Sequence, residues 1–145
     1  MTLSHFIEGS AGDTFELGIF RLRLLAGADQ TDGAFSLGEF SGGQGVWTAP
    51  HVHQNTEESF YVLEGNFVFT LGEEEVEAGP GSYILVPRGT RHLIRSEDPS
   101  GRLLALWSPG GLEAMFVTLS QLPSDSLRDR EVRKMLSRRF DSIPV

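Results

Sequence analysis

Short runs of alternating apolar and polar residues occupy most of the chain, and turn-forming residues separate them at close intervals. The alternation is clear in segments 15–25 and 34–40, and glycine- or proline-containing corners follow at 41–45 and 79–81. Alternation with a period of two is typical of strands that bury one face, and many short strands with frequent turns favour a β-sandwich or barrel. The pattern therefore predicts an all-β barrel over about residues 15–120.

The hydrophobic period changes near the C-terminus. Apolar residues there recur at near-helical spacing, at Leu127, Val132, Met135, Leu136 and Phe140. Ser124 is a suitable N-cap, and arginines 138 and 139 suit the negative end of a helix dipole. We therefore predict an amphipathic C-terminal α-helix over about residues 124–140. Covering a sheet is the favoured role for this helix, and a lid over a site is the alternative.

Length and charge narrow the possible partners. A chain of 145 residues corresponds to one domain, so we expect residues 1–145 to form a single unit. The formal net charge of −8 would repel a phosphate backbone, and we expect no nucleic-acid partner.

Cysteine is absent, which excludes thiol chemistry. The N-terminal residues lack the pattern of a secretory signal and no long apolar run is present, so we expect a cytoplasmic protein without a membrane partner.

The segment HVHQNTEE, residues 51–58, concentrates groups that bind metals. Residues two apart share one face of a strand, so His51 and His53 point the same way. On the strand that follows, Glu58 shares a face with Phe60 and Val62. Inward histidines lose solvation unless they find a partner, and a metal ion supplies one. A solvated sheet edge is the alternative interpretation of this segment.

A fourth ligand would come from a distant strand. His92 follows the turn PRGTR and opens the apolar strand HLIRS, which makes it the best candidate, whereas His5 lies in the N-terminal segment and is assigned no role. The same alternation of side chains places Trp47, Phe60 and Val62 inward, and we expect them to line an apolar substrate pocket. No group of arginines or lysines is predicted to face inward, which argues against a phosphosugar substrate.

Two spaced motifs in this chain resemble those of the cupin superfamily. Residues 45–65 fit G-x5-H-x-H-x3-4-E-x6-G, with Gly45, His51, His53, Glu58 and Gly65 at the specified positions. Residues 81–92 fit G-x5-P-x-G-x2-H. The second family motif then expects an asparagine where this chain has Ser96. Because that asparagine is usually not a metal ligand in the family, the departure does not affect the predicted metal site.

The resemblance implies a fold and a metal site. The expected fold is a double-stranded β-helix, or jelly-roll barrel, that binds one divalent transition metal through His51, His53, Glu58 and His92. Iron, nickel, manganese, cobalt, copper and zinc all suit such ligands, and the sequence does not choose among them. Cupin barrels commonly pair, so the resemblance also implies a homodimer.

Within the family, the chain resembles the small quercetin 2,3-dioxygenase-like cupins. That resemblance implies oxidative cleavage of a small aromatic or enolic substrate by dioxygen, with Glu58 accepting the proton of a substrate hydroxyl. One alternative is a non-oxidative cyclase or isomerase that uses the same metal on polyketide-like substrates. A second alternative is a barrel that binds a metal or ligand without turnover.

Overall fold

The computed structural model describes residues 4–123 and 125–145, except for the side chain of Leu127. Its strands are β1 (Thr14–Glu16), β2 (Phe20–Ala26), β3 (Ser36–Gly42), β4 (Gly45–Val46), β5 (His51–Val52), β6 (Glu57–Glu64), β7 (Phe67–Leu71), β8 (Glu74–Ala78), β9 (Tyr83–Val86), β10 (His92–Ser96), β11 (Gly101–Ser108) and β12 (Ile143–Pro144). Its helices are α1 (Glu113–Ser120), a 3₁₀ turn (Ser126–Arg128) and α2 (Arg130–Ser137).

Two antiparallel sheets face each other across the core. The first sheet has the order β1-β2-β3-β11-β6-β9, and the second has the order β12-β5-β10-β7-β8, with β4 also paired to β10. Strands distant in sequence are therefore neighbours in each sheet, as in a jelly roll. The predicted all-β barrel with a helical C-terminal region is confirmed.

Alternation along the strands places the core between the sheets. On β6, Glu58, Phe60 and Val62 are buried while Tyr61 is exposed, and on β11 the buried side chains include Leu103 and Trp107. Aromatic rings fill much of this space, with edge-on contacts such as that between Phe40 and Trp107, as expected for close-packed rings. The inward parity of Phe60 and Val62 that the sequence predicts is therefore observed.

One motif glycine is required by the backbone. Gly65, between β6 and β7, adopts a φ of 80°, a left-handed conformation that side chains disfavour. A Cβ at this position would also lie 2.6 Å from the carbonyl oxygen of Ser100. The glycine thus marks a tight corner, as its place in the first motif predicts.

The C-terminal region differs from the single predicted helix. The chain is extended at Asp129, with φ −75° and ψ 115°, so a 3₁₀ turn precedes this residue and α2 follows it. The Asp129 side chain caps α2 by accepting a hydrogen bond from the backbone N–H of Glu131 at 2.9 Å. The predicted N-cap, Ser124, lies outside the described residues. Leu136 is buried as predicted, whereas Met135 is 44% exposed.

Helix α1 is a second difference, because the sequence pattern predicts that the barrel continues to about residue 120. It packs Met115, Phe116 and Leu119 against the core. After α2, β12 pairs with β5, so the end of the chain lies on the strand that carries His51. Among the described residues, no helix combines the length and apolar character that crossing a membrane requires.

Candidate metal centre

Three histidines and one glutamate meet inside the barrel. His51 lies on β5 and pairs in register with His92, the first residue of β10, while His53 follows β5 and Glu58 lies on β6. One donor atom from each of the four side chains lies within 4.8 Å of the others, so the group could hold a metal ion. Three of the four side chains are buried, and His51 is half-buried. The structure thus brings together the four residues that the two motifs predict.

Backbone carbonyls fix all three imidazole rings. The Nδ1 atoms of His51 and His92 lie 2.7 and 2.8 Å from the carbonyl oxygens of Ala49 and Thr90. His53 Nδ1 makes the equivalent hydrogen bond to the carbonyl of Asp141, after α2. A carbonyl can only accept, so each Nδ1 carries the proton and each Nε2 is left for another partner. Metal-binding histidines are oriented in this way in proteins.

The atoms facing the centre of the group are incompletely paired. Glu58 Oε1 lies 2.9 Å from His92 Nε2 and 3.4 Å from His53 Nε2. His53 Nε2 is nevertheless buried without a hydrogen-bond partner among the described residues. Buried polar atoms are rarely left unpaired, because their lost hydration is not replaced. A cation at the centre would satisfy this nitrogen and the carboxylate together, so the four residues fit a metal.

The second oxygen of Glu58 is held from the opposite side. Trp107, on β11, donates its indole N–H to Glu58 Oε2, and both side chains are buried. This bond fixes the carboxylate orientation and leaves Oε1 facing the imidazoles. Trp107 lies outside both motifs, and nothing local in the sequence shows which buried donor meets the carboxylate.

Burial and mutual charge determine the protonation of the group. Burial, with His92 and His53 nearby, lowers the pKa of His51 to about 3 and keeps this ring neutral. Burial alone would lower the pKa of His53, but the negative charge of Glu58 outweighs it and raises that pKa above the ordinary 6.5. Burial likewise opposes ionisation of Glu58, yet the two imidazoles lower its pKa well below its usual range. Glu58 is therefore a carboxylate, as a metal ligand must be.

Asp141 clamps the loop between His53 and Glu58. Its carboxylate accepts hydrogen bonds from the backbone N–H groups of Gln54 and Asn55 and from the hydroxyl of Thr56, each at 2.8 Å. Because its carbonyl also holds His53, one residue of the C-terminal segment positions both a candidate ligand and the loop that follows it. Sequence reasoning missed Asp141, which lies 88 residues from His53.

An apolar cavity adjoins the four side chains. Its lining includes His51 and Glu58, the aromatic rings of Phe20, Phe40 and Phe116, and Leu136 from α2. The cavity encloses about 60 Å³, whereas sites for drug-sized ligands measure about 300–1,000 Å³. It therefore suits a small ligand, and a larger one requires the covering helices to move. The predicted aromatic character of the pocket agrees with this lining.

The three predicted pocket residues do not line this cavity. Trp47 stacks on Phe20, with 5.3 Å between ring centroids, and donates its indole N–H to the Gly43 carbonyl. Phe60 and Val62 face inward but lie in the hydrophobic core. Alternation along one strand gives the face of a residue and not its depth along the barrel, so parity could not separate core from cavity.

A cationic side chain that the sequence pattern does not identify also lines the cavity. It is Arg133, on α2. The helical period of residues 130–137 was the available signal, but the side of the helix that meets the barrel is decided by tertiary packing. His5 is exposed and does not belong to the group of four candidate ligands. Its Nε2 lies 2.8 Å from the carbonyl oxygen of Leu25.

Comparison with known proteins agrees with the fold and the motifs. Residues 38–109 match the Cupin domain family, and this range contains all four converging side chains. The chain belongs to the cupin superfamily. Among curated relatives of this cupin is quercetin 2,3-dioxygenase of Bacillus subtilis, 30% identical over 115 residues, or 79% of this chain. This cupin spans only 34% of the length of that relative.

Solved structures similar to this cupin over most of its length include those of two named proteins. The structure of KdgF from Halomonas sp. superposes with a TM-score of 0.67 at 22% identity, covering 77% of this chain and 99% of that one, and it supports the fold alone. The polyketide cyclase RemF from Streptomyces resistomycificus superposes with a TM-score of 0.63 at 25% identity, covering 90% of this chain and 96% of that one.

Proposed function

We propose that this cupin is a metal-dependent enzyme acting on a small aromatic or enolic molecule, and that it is a dioxygenase. The proposed ligands of one divalent transition metal are His51, His53, Glu58 and His92. The observation that carries the proposal is the unpaired, buried Nε2 of His53 beside an ionised carboxylate, within a group of rings anchored through Nδ1. Such an arrangement is costly without a cation and favourable with one.

Iron, nickel, manganese, cobalt, copper and zinc all accept three imidazoles and one carboxylate. When bound, such a metal supplies Lewis acidity toward a substrate oxygen and, if redox-active, access to dioxygen chemistry. The protein contributes preorganised imidazoles, because backbone carbonyls already orient all three rings through Nδ1.

Glu58 is proposed to act both as a ligand and as the acceptor of the proton from a substrate hydroxyl. Its Oε2 is held by Trp107, so Oε1 is the atom available for that proton. Phe20, Phe40 and Phe116 offer flat apolar contacts to a ring or enol and exclude water from it. These residues would bind and orient the substrate beside the carboxylate.

Similarity to quercetin 2,3-dioxygenase supports the oxidative reaction, although the chain spans about a third of that relative. The test is metal analysis of untagged protein, followed by oxygen-electrode and product measurements with small phenols and enols. A His51→Ala/His92→Ala variant is the control. Stoichiometric redox-active metal with substrate-dependent oxygen uptake, both absent from the variant, would support the proposal. Failure to bind any of the six metals after reconstitution would overturn it.

A non-oxidative cyclase or isomerase is the second candidate. The superposition with the polyketide cyclase RemF covers 90% of this chain and 96% of RemF, which favours a cyclase of similar size. Product formation under anaerobic conditions, with zinc in the site, would identify this reaction. Saturable binding without any product would instead indicate a binding barrel.

A homodimer is also part of the proposal. Exposed apolar side chains share the outer face of the first sheet near its β9 edge, namely Tyr61, Tyr83, Leu85 and Leu106. Contiguous apolar surface of this kind is characteristic of interfaces. Light scattering coupled to size exclusion gives the mass directly, and a Tyr83→Glu variant should shift the equilibrium toward monomer.

A further inference from the structure

Arg133 is the cationic side chain of the cavity. It projects from α2 (Arg130–Ser137) and lines the same space as His51 and Glu58. Its Nε is buried and has no hydrogen-bond partner within residues 4–123 and 125–145. No ion pair of Arg133 is found in that part of the chain either. A buried guanidinium nitrogen without an acceptor is unfavourable for folding, and an acceptor that arrives from outside would satisfy it.

The carboxylate in the cavity lining is not that acceptor. Glu58 is already engaged by Trp107 and lies against His92 and His53. Most of the remaining lining is apolar, including Phe40, Phe116 and Leu136. On α2 itself, the acidic residue Glu131 pairs with Lys134 at 3.2 Å on the exposed side. Arg133 thus brings a buried, unpartnered Nε to the lining of a mostly apolar cavity whose acidic side chain is already occupied.

We infer that Arg133 binds a carboxylate of the substrate, so that the substrate is a small aromatic or enolic acid. This inference rests on the proposed function. A guanidinium offers parallel N–H groups that match the two oxygens of a carboxylate, and a site with few competing acceptors strengthens such bonds. A substrate whose carboxylate is bound by Arg133 would lie in the space that His51 and Glu58 also line, and a single-ring acid would need the covering helices to move to fit it.

The inference also assigns α2 a role in specificity. Leu136, one turn along the helix, is buried in the core, and this packing of α2 places Arg133 in the cavity lining. A neutral substrate would leave the guanidinium unpaired, and binding of neutral analogues would be disfavoured for that reason.

The experiment compares two probes of equal size that differ in charge. Binding of 3,4-dihydroxybenzoate and 3,4-dihydroxybenzamide to zinc-loaded protein would be measured by calorimetry. The variants are Arg133→Met, Arg133→Lys and the charge-matched control Arg130→Met, which removes an exposed cation from the same helix. We expect wild type to prefer the carboxylate by about tenfold or more, as charge-assisted hydrogen bonds do. Arg133→Met should lose this preference, Arg133→Lys should keep part of it, and Arg130→Met should keep all of it.

Thermal unfolding separates ligand binding from a structural role. If Arg133 exists for a ligand, Arg133→Met should unfold at the same or a higher temperature than wild type, because an unpaired buried donor is removed. A large drop in the melting temperature of Arg133→Met, with the carboxylate preference intact in that variant, would assign a packing role and overturn the inference.

Two results distinguish this inference from the proposed function. Equal affinity for both probes in zinc-loaded wild type would overturn the role of Arg133 and leave the metal site standing. Failure to load zinc would overturn the metal site, and metal-free protein would then be tested with benzoate and benzamide. A preference for benzoate that Arg133→Met abolishes would still support carboxylate binding by Arg133, and no preference would overturn it.

Discussion

The indole N–H of Trp107 donates to Glu58 Oε2, and both residues lie buried on adjacent strands, paired in register on β11 and β6. This contact fixes the rotamer of the acidic member of the candidate metal centre. Trp107 lies outside both sequence motifs, yet it orients a glutamate that belongs to the first motif.

The first prediction concerns Trp107→Phe. Loss of the indole donor leaves Glu58 Oε2 unpaired and free to rotate, so metal affinity should fall about 10–100-fold, as for other outer-shell partners. Competition with a chromophoric chelator measures this. Trp47→Phe is the matched control, because the Trp47 indole donates instead to the Gly43 carbonyl. Equal affinity in the two variants would contradict the positioning role.

The second prediction concerns metal removal. A metal that binds only the folded state stabilises it by about 2.7 kcal/mol when present at 100 times its dissociation constant. Adding metal to chelator-treated protein should therefore raise the melting temperature, and His92→Ala should abolish the increase. His5→Ala should retain it, since His5 contacts the Leu25 carbonyl and no candidate ligand. Melting curves by calorimetry provide the measurement.

The third prediction concerns the pH dependence of metal binding. Because Glu58 raises the pKa of His53 above 6.5 in the metal-free protein, this ring stays protonated to higher pH than an ordinary histidine. A metal must displace that proton, so affinity should increase as pH rises through the raised pKa and level off above it. Calorimetry in buffers of different ionisation enthalpy should detect proton release near pH 7. An affinity that is flat from pH 6 to pH 8 would contradict this.

The fourth prediction concerns Asp141→Asn. Partial burial opposes ionisation of Asp141, but hydrogen bonds from Thr56, Gln54 and Asn55 outweigh it and lower its pKa below the ordinary 3.8. A carboxyl with a lowered pKa stabilises the fold above its unfolded pKa and loses that contribution as pH falls through its folded pKa. Asp141→Asn should therefore be less stable by about 1–2 kcal/mol at pH 7.

That difference should shrink as pH falls below 3.8, the ordinary pKa of the group. Chemical denaturation across this range measures it. Asp125→Asn is a suitable control, since Asp125 is an exposed carboxyl elsewhere in the C-terminal region. A difference that stays constant with pH would show that the Asp141 charge is not responsible.

The sequence by itself determined much of this protein. Alternating apolar residues and frequent corners predicted a β barrel, and the spacing of His51, His53, Glu58 and His92 predicted which side chains meet. Both inferences depend on local rules: alternation sets the face of a strand, and a left-handed glycine such as Gly65 sets a corner. The four candidate ligands of the two motifs lie on such strands or directly after them.

Tertiary structure alone decided what surrounds the four side chains. Asp141, Arg133 and Trp107 reach the site from segments far from the motifs, and no period or spacing connects them to it. For the same reason, the cavity is lined partly by residues of the two helices and not by Trp47, Phe60 and Val62, which the sequence predicts. Depth along a barrel and the docking of a helix depend on how whole elements pack, and that packing is a property of contacts between distant residues.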